Sequence, residues 1–225
     1  MKKFKKNYEI LKLVGLFKGI EETDLEPLLV CINARTQNLN KGEIILLAGD
    51  QPKFVGIVLS GQLHIIREDY DGNRSLIALL TPGDIFAEAL CCAVVSESPV
   101  TVVTASDSVI MKLSFSRLLR ICPNSCLFHR KLIGNLLELI AAKNLFLQSR
   151  MEILSLKSVR AKVLLYLESC AAKQGKNIRI PFNREEMADF LCVERSALSH
   201  ELMKMKKDGL IDYKKNMFTL QLPIH

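Results

Sequence analysis

Residues 183–211 read NREEMADFLCVERSALSHELMKMKKDGLI, and this stretch decides the fold of the C-terminal part of the chain. Asn183 is followed three residues later by Glu186, an Asn variant of the capping box, which predicts a helix start. After a connection of three residues, 192–194, a second helix is predicted because apolar side chains recur at near-helical spacing, at Val193, Ala197, Leu198, Leu202 and Met205. The stretch therefore predicts a helix-turn-helix.

The other side of the second helix carries Arg195, Ser196, Ser199 and His200. One interpretation is an ordinary surface helix whose serines face water. The other is a helix kept slim on one side so that it can enter a groove. The neighbouring segments decide between the two interpretations.

These neighbours complete a recognisable C-terminal module. Residues 158–175 predict a helix that ends at Gly175, and NIRIPF at 177–182 predicts a short strand. Residues 211–220 predict a hairpin that turns near Asn216. Helix, strand, helix-turn-helix and hairpin together predict a winged helix-turn-helix.

The middle of the chain, residues 42–113, predicts an antiparallel β-roll of the jelly-roll type. Short β-branched runs are separated by glycines at positions 42, 49, 56, 61, 72 and 83. DGN at 71–73 is typical of a tight hairpin, and PGD at 82–84 of a turn. No alternation of strands and helices indicates a βαβ protein, so the fold class is α+β.

A long helix is predicted after the roll, with its start at residues 123–125. It carries an a/d seam formed by Ile133, Leu137, Ile140, Asn144, Leu147 and Met151. A second stripe contains Leu132, Leu136, Leu139 and Phe146. A helix buried wholly inside one subunit would explain the second stripe, but a homodimer explains both stripes and the polar Asn144 that fixes register.

Charge and composition restrict the partners. The chain has 225 residues and a formal charge of +7, and residues 151–225 carry 13 basic against nine acidic side chains. A basic C-terminal module favours a polyanion partner, although a solvated lysine-rich surface gives the same count. No apolar window of about 18 residues predicts a membrane span, and the basic N-terminus lacks the pattern of a signal peptide. We therefore expect a cytoplasmic protein with no membrane partner.

The seven cysteines are odd in number and lie mostly in apolar surroundings, so they predict reduced thiols. Cys122 and Cys126 in CPNSC are a weak metal spacing with no partner pair nearby. The adjacent Cys91 and Cys92 are able to oxidise, but core packing explains them equally well. No metal site is predicted.

Taken in order, these features resemble the Crp/Fnr family of bacterial transcription regulators. The resemblance rests on SGQL, DGN and PGDIFAEA in the roll, on the long helix, and on the quoted stretch at 183–211. It implies an N-terminal effector domain at 1–120 with a cyclic-nucleotide-binding-type roll, a dimerisation helix at 121–155 and a DNA-binding winged helix at 156–225. It also implies palindromic double-stranded DNA and RNA polymerase as partners.

The resemblance also implies roles for individual residues. Arg195 matches the position that places a guanidinium on guanine, and two donors fit guanine O6 and N7 together. Ser196 stands where many members have Glu, and His200 stands where Arg is usual. The DNA sequence that other members recognise is therefore not expected to be the target of this protein. Ser199 keeps the helix slim, and Arg184 matches a position that touches phosphate.

One connecting residue also departs from the family. Cys192 occupies a turn position that Gly or Asn often holds. A left-handed backbone at this position would be strained by a cysteine side chain.

The expected effector pocket has lost its phosphate ligands. Family members that bind cyclic nucleotides use a Gly-Glu pair and then an Arg-Ser pair. Here Glu88 is kept, but Pro99 and Val100 stand in place of the arginine and serine. Leu145 and Phe146 correspond to the helix positions that meet the purine, and both are apolar. Burying a phosphate without donors costs several kcal/mol, so the residues argue against cyclic AMP.

Other cofactors of the family find no support. An iron–sulfur cluster held by an N-terminal cysteine group is not predicted, since residues 1–30 contain no cysteine. A haem would need an axial ligand such as His64 or His129, but isolated histidines are more often structural. We expect no cofactor, and an effector of unidentified chemistry or none.

Two function classes follow. The first is a sequence-specific, homodimeric DNA-binding transcription regulator. The alternative is an effector-binding or scaffold protein whose C-terminal module docks a protein partner. An enzyme is not predicted, because no nucleophile elbow, metal signature or phosphate loop occurs in the sequence.

Overall fold

A computed structural model describes residues 4–69, 71, 74–119 and 127–221. The chain divides into two compact units, Met1–Ala142 and Lys143–His225. The division falls inside a long helix, whereas the sequence suggested three segments, 1–120, 121–155 and 156–225. Those three boundaries stay a prediction, and each unit is described separately.

The first unit contains five α-helices and eight strands among its described residues, besides two short 3-10 helices at Lys5–Asn7 and Gly15–Phe17. The helices are α1 (Tyr8–Leu13), α2 (Glu22–Cys31), α3 (Glu88–Cys92), α4 (Phe115–Leu119) and α5 (Leu127–Ser155), the last of which continues into the second unit. The strands are β1 (Arg35–Leu39), β2 (Ile44–Leu46), β3 (Phe54–Ser60), β4 (Leu63–Glu68), β5 (Arg74–Leu80), β6 (Ile85–Phe86), β7 (Thr101–Thr104) and β8 (Ser108–Ser114).

The strands form two four-stranded sheets, ordered β1-β8-β3-β6 and β2-β7-β4-β5. Every pairing in both sheets is antiparallel. This confirms the antiparallel roll and the α+β class that the glycine-punctuated runs predicted.

Strand β3 is buried on both faces. Val55, Ile57 and Leu59 join a core formed with the N-terminal helices and α5. Val58, which points to the opposite face because strand residues alternate, joins a second core inside the roll. That inner core is made by side chains of both sheets: Leu39, Ile45, Leu46, Val58, Leu63, Leu80, Phe86, Val102 and Ile110. The interior of the roll therefore holds a core made by its own residues.

Helix α5 has one side that belongs to the first unit. Leu132 and Leu136 of the predicted second stripe are buried in the core beneath the N-terminal helices. Asn135 attaches the same turn of α5 to the N-terminal segment, because its Nδ2 donates to the carbonyls of Leu16 and Lys18 at 2.9 and 3.0 Å. The second stripe is therefore largely intramolecular, although its last member, Phe146, is exposed.

The seam side of α5 is mostly uncovered within one chain. Leu137, Leu147 and Met151 are 64%, 57% and 70% exposed. Asn144 is exposed, whereas Ile133 is half-buried and Ile140 packs partly on the core of its own unit. The alternative that this helix is buried wholly inside one subunit is therefore wrong for Leu137, Leu147 and Met151. The predicted helix start at 123–125, together with Cys122 and Cys126, lies outside the described residues.

The second unit contains the elements that residues 156–225 predicted. Its helices are α6 (Val159–Gln174), α7 (Arg184–Leu191) and α8 (Arg195–Lys207), and its strands are β9 (Asn177–Arg179), β10 (Ile211–Lys214) and β11 (Met217–Leu220). Ser158 caps α6 by accepting from the backbone N–H of Ala161, and Gly175 ends that helix. The strands form one antiparallel sheet, ordered β10-β11-β9. The winged helix-turn-helix is confirmed. We call β10, β11 and the turn between them the wing.

Gly56 on β3 lies in close contact with the Phe86 ring. A Cβ at position 56 would overlap the ring, which is itself almost fully buried. Gly56→Ala should destabilise the first unit by about 1–3 kcal/mol, the usual cost of overpacking a filled core. Urea unfolding followed by circular dichroism measures this change.

Gly15→Ala is the matched control, because a methyl group there meets nothing within 4 Å. It should leave the unfolding midpoint nearly unchanged. An unchanged midpoint for Gly56→Ala would show that the roll interior is loosely filled.

Candidate nucleic-acid interface

Helix α8 separates most of its apolar residues from its polar ones. Ala197, which the sequence placed in the apolar stripe, is instead exposed, because adjacent helix residues are rotated by about 100° and Leu198 occupies the buried side. Leu198, Leu202 and Met205 are fully buried in the core of the second unit. On the other side Arg195, Ser196 and His200 are exposed and Ser199 is half-buried. Since the N-terminal residues of such a helix are the ones that reach base edges, Arg195 at its first position is well placed.

The preceding helix, α7, begins with the predicted capping box. The Asn183 side chain accepts from the backbone N–H groups of Glu185 and Glu186 at 2.9 and 3.0 Å. The Glu186 carboxylate accepts from the Asn183 backbone N–H at 2.7 Å. These bonds satisfy three backbone donors at the N-terminus, and such caps stabilise a helix by about 1 kcal/mol.

The connection between α7 and α8 contains a left-handed residue. Cys192 has φ 49° and ψ 60°, as its turn position led us to expect. The Lys162 ammonium on α6 donates to the carbonyls of Leu191 at 3.0 Å and Cys192 at 3.4 Å. Lys162 thus satisfies carbonyls at the end of α7, which a helix terminus leaves without intrahelical partners.

A second cation of α6 holds α8. Arg160 Nε donates to Glu201 at 2.5 Å, and its Nη2 donates to Asp208 at 2.7 Å. The hydrogen bond to Glu201 raises the pKa of Arg160. One guanidinium therefore fixes both the middle and the C-terminal end of α8 against α6. Sequence reasoning missed Arg160 and Lys162, because their partners lie 29–48 residues away and no local spacing marks them.

Arg184, the predicted phosphate contact, lies under the wing. Its guanidinium carbon is 4.8 Å from the centre of the Tyr213 ring and 5.0 Å from that of Phe218. Its Nη2 donates to the Lys215 carbonyl at 3.1 Å. A surface cavity of about 560 Å³ adjoins these groups, lined by Pro181, Phe182, Asn183, Arg184, Glu186, Lys215 and Asn216.

Five lysines of α8 and the wing are exposed and are candidates for contacts to a DNA backbone: Lys204, Lys206, Lys207, Lys214 and Lys215. Lys206 differs from the rest, since it forms a 2.5 Å ion pair with Asp212 and lies over the Tyr213 ring.

The segment that matches the family's phosphate-binding residues carries no basic side chain. Glu88 is buried in the first turn of α3, and Ala87 before it has φ 62°, the conformation a glycine would adopt freely. Pro99 is exposed and Val100 half-buried. Residues 75–111 include no Lys, Arg or His at all. Leu145 and Phe146, the proposed purine contacts, are exposed on α5 in the second unit.

The cysteine and histidine candidates form structural contacts. Cys91 donates to the Phe54 carbonyl at 3.3 Å, and burial raises the pKa of its thiol to about 11. His129 is buried, with Nε2 2.8 Å from the Leu118 carbonyl and Nδ1 3.9 Å from Cys31 Sγ. His64 is half-buried on β4. Among the described residues no group of three or more metal-binding side chains occurs. Within the same residues no helix has the length and apolar character that crossing a membrane requires.

Two domain families match the chain. A cyclic nucleotide-binding domain matches residues 36–125, and a Crp-like helix-turn-helix domain matches residues 161–223. The transcriptional activator protein FnrL of Cereibacter sphaeroides is 27% identical over 179 residues, which cover 76% of this chain and 69% of that protein.

Solved structures share the fold. The catabolite activator protein of Thermus thermophilus aligns with a TM-score of 0.54 at 21% identity, over 92% of this chain and 93% of that chain. DNR of Pseudomonas aeruginosa aligns with a TM-score of 0.51 at 18% identity, over 95% and 92% of the two chains.

A nucleotide-binding-type roll followed by a winged helix-turn-helix defines a DNA-binding transcription regulator. The chain belongs to the Crp/Fnr family of such regulators. These matches do not favour the alternative of a scaffold whose C-terminal module docks a protein. The matched relatives regulate transcription. That the chain has no catalytic activity stays a prediction.

Proposed function

We propose that this regulator acts as a homodimer that reads an inverted repeat in duplex DNA through α8. The observation that supports this proposal is the polar row of exposed Arg195, Ser196 and His200 with half-buried Ser199, opposite the fully buried Leu198, Leu202 and Met205. A dimer of such modules contacts two half-sites about one helical turn apart. RNA polymerase as a partner, and the cytoplasm as the location, are parts of the same proposal.

Arg195 carries the sequence preference in this proposal. Its guanidinium offers two donors that fit guanine O6 and N7 together, whereas a serine hydroxyl forms hydrogen bonds with several bases and discriminates little between them. Ser196 and Ser199 add little bulk, so the backbone of α8 can approach the base edges. His200 offers fewer donors than the arginine usual at its position.

Arg195→Ala should cost about 1–3 kcal/mol per half-site and relax the preference at one base pair. Selection of bound duplexes from a random pool, followed by affinity measurement on the selected site, tests this expectation. Lys207→Ala is the control, because an exposed lysine in the last turn of α8 should weaken all sequences alike or none. Unchanged base preference in Arg195→Ala, or a selection that returns no inverted repeat, would refute base reading by α8.

The dimer is proposed to form along α5 through Ile133, Leu137, Ile140, Asn144, Leu147 and Met151. A soluble chain rarely leaves a repeated apolar stripe uncovered, and the stripe follows coiled-coil spacing. Asn144 supplies one polar position that fixes the register of the two helices at some cost in stability. Ile140 also packs on the core of its own unit, so it serves both subunit stability and the seam.

Leu147→Asp combined with Met151→Asp should give a monomer that loses tight DNA binding. These two side chains are exposed within one chain, so the substitutions should leave each unit folded. Leu145→Asp is the matched control, since Leu145 is equally exposed but lies off the seam. Analytical ultracentrifugation measures the oligomeric state. A double variant that sediments as a dimer would place the interface elsewhere.

We propose that cyclic AMP is not the effector, and that neither haem nor an iron–sulfur cluster is bound. The absence of Lys, Arg and His from residues 75–111 supports the first point, because a cyclic phosphate needs donors to offset its desolvation. The effector is then an apolar or aromatic molecule, or the filled roll needs none.

Calorimetric titration with cyclic AMP should show no binding at physiological concentrations. Pro99→Arg combined with Val100→Ser should not create affinity, since Leu145 and Phe146 remain unsuited to a purine edge. Micromolar binding to the wild-type protein would contradict the proposal, and would show that the phosphate is held by groups outside the family pattern.

A further inference from the structure

The wing is a small element that needs external support. Its two strands have four residues each, and a short hairpin is marginally stable by itself. Lys215 at the turn has φ 55°, a conformation that costs a non-glycine residue about 1 kcal/mol or more. Something must offset this cost for the turn to hold one shape.

Arg184 supplies that support from the first position of α7. Tyr213 and Phe218 are direct partners across β10 and β11, and their rings stack with centres 5.6 Å apart. The Arg184 guanidinium lies about equally close to both rings. It also donates to the carbonyl of Lys215, the strained residue at the turn. One side chain thus contacts both strands of the wing and the turn between them.

The surroundings of this guanidinium are partly dry. Arg184 is half-buried, and desolvation lowers the pKa of its side chain. Arg184 Nη1 also lies 3.8 Å from Met187 Sδ, so both terminal nitrogens of the guanidinium face protein atoms. Such an arrangement suits a cation that orders its neighbours. A phosphate contact would favour a solvated side chain that follows the DNA backbone.

The adjacent cations have the opposite character. Lys214 and Lys215 are exposed at the end of the wing, where the hairpin turns. Asn216 anchors the other side of the turn, since its Nδ2 donates to the Ile180 carbonyl at 3.2 Å and its own carbonyl accepts from the Ile180 N–H at 3.0 Å. The turn is therefore held on two sides while its lysines extend into solvent.

We propose that Arg184 is a positioning residue that holds the wing, and that it places Lys214 and Lys215 against the DNA phosphates in preference to contacting phosphate itself. Only the placement of Lys214 and Lys215 against phosphates rests on the proposed DNA binding. The ordering of the wing is a property of the free protein.

A lysine substitution separates the two roles. Lys keeps the charge, so it would replace Arg184 well as a simple phosphate contact. Lys has no planar fork, so it cannot lie against two neighbouring rings and donate to a carbonyl at the same time as a guanidinium does. Arg184→Lys should therefore behave like Arg184→Gln if the residue positions the wing.

Hydrogen exchange of the full-length protein without DNA gives the first measurement. Amides of Ile211–Lys214 and Met217–Leu220 should exchange about tenfold faster in both Arg184→Lys and Arg184→Gln. Arg179→Gln is the matched control, because Arg179 is an exposed arginine on the neighbouring strand and should leave this exchange unchanged. Circular dichroism confirms that each variant remains folded.

Binding to a random-sequence 30-bp duplex over a range of salt gives the second measurement. Both Arg184 variants should weaken binding by similar factors, and Lys215→Gln should have a smaller effect in the Arg184→Gln background than in the wild type. Because this probe requires no base reading, the result stands even if selection returns no inverted repeat.

The opposite pattern would overturn the proposal. In that pattern Arg184→Lys keeps wild-type exchange and affinity, and Arg184→Gln lowers the salt slope by about 0.9, the value for one phosphate. The effect of Lys215→Gln would then be the same in both backgrounds, which would identify two independent phosphate contacts.

Discussion

Burial of one side of α8 is the constraint on which the rest of the second unit depends. Leu198, Leu202 and Met205 are fully buried, and each such side chain contributes about 1.5–3 kcal/mol. That burial fixes which side of the helix faces outward, so the polar row from Arg195 to His200 is exposed by default. It also outweighs the strain of Cys192, which costs roughly 1–2 kcal/mol in its left-handed conformation.

Two cations of α6 refine this arrangement. Lys162 binds the carbonyls that end α7. Arg160 binds the carboxylates of Glu201 on α8 and of Asp208 directly after that helix. The Arg160 ion pairs add little stability by themselves, since partly exposed ion pairs are weak. Their value is geometric, because they fix the angle and the position at which α8 is presented.

Local signals explain which features could be predicted from the sequence. The Asn183 capping box, the stop at Gly175 and the hairpin at 211–220 all depend on residues close together in the chain, and all three are present. The antiparallel roll followed from its glycine and turn pattern.

Contacts between distant residues could not be predicted in the same way. The bond from Arg184 to Lys215 joins residues 31 positions apart, so a resemblance could match Arg184 to a phosphate contact but could not reveal its burial under the wing. Ile140 shows the same limit, since its spacing placed it on the seam while its partial burial also depends on the helices before the roll. Arg195 is exposed and able to meet bases, whereas Arg184 is held by two rings and a carbonyl. Two arginines eleven positions apart thus have different physical surroundings, and the surroundings determine what each can do at a DNA surface.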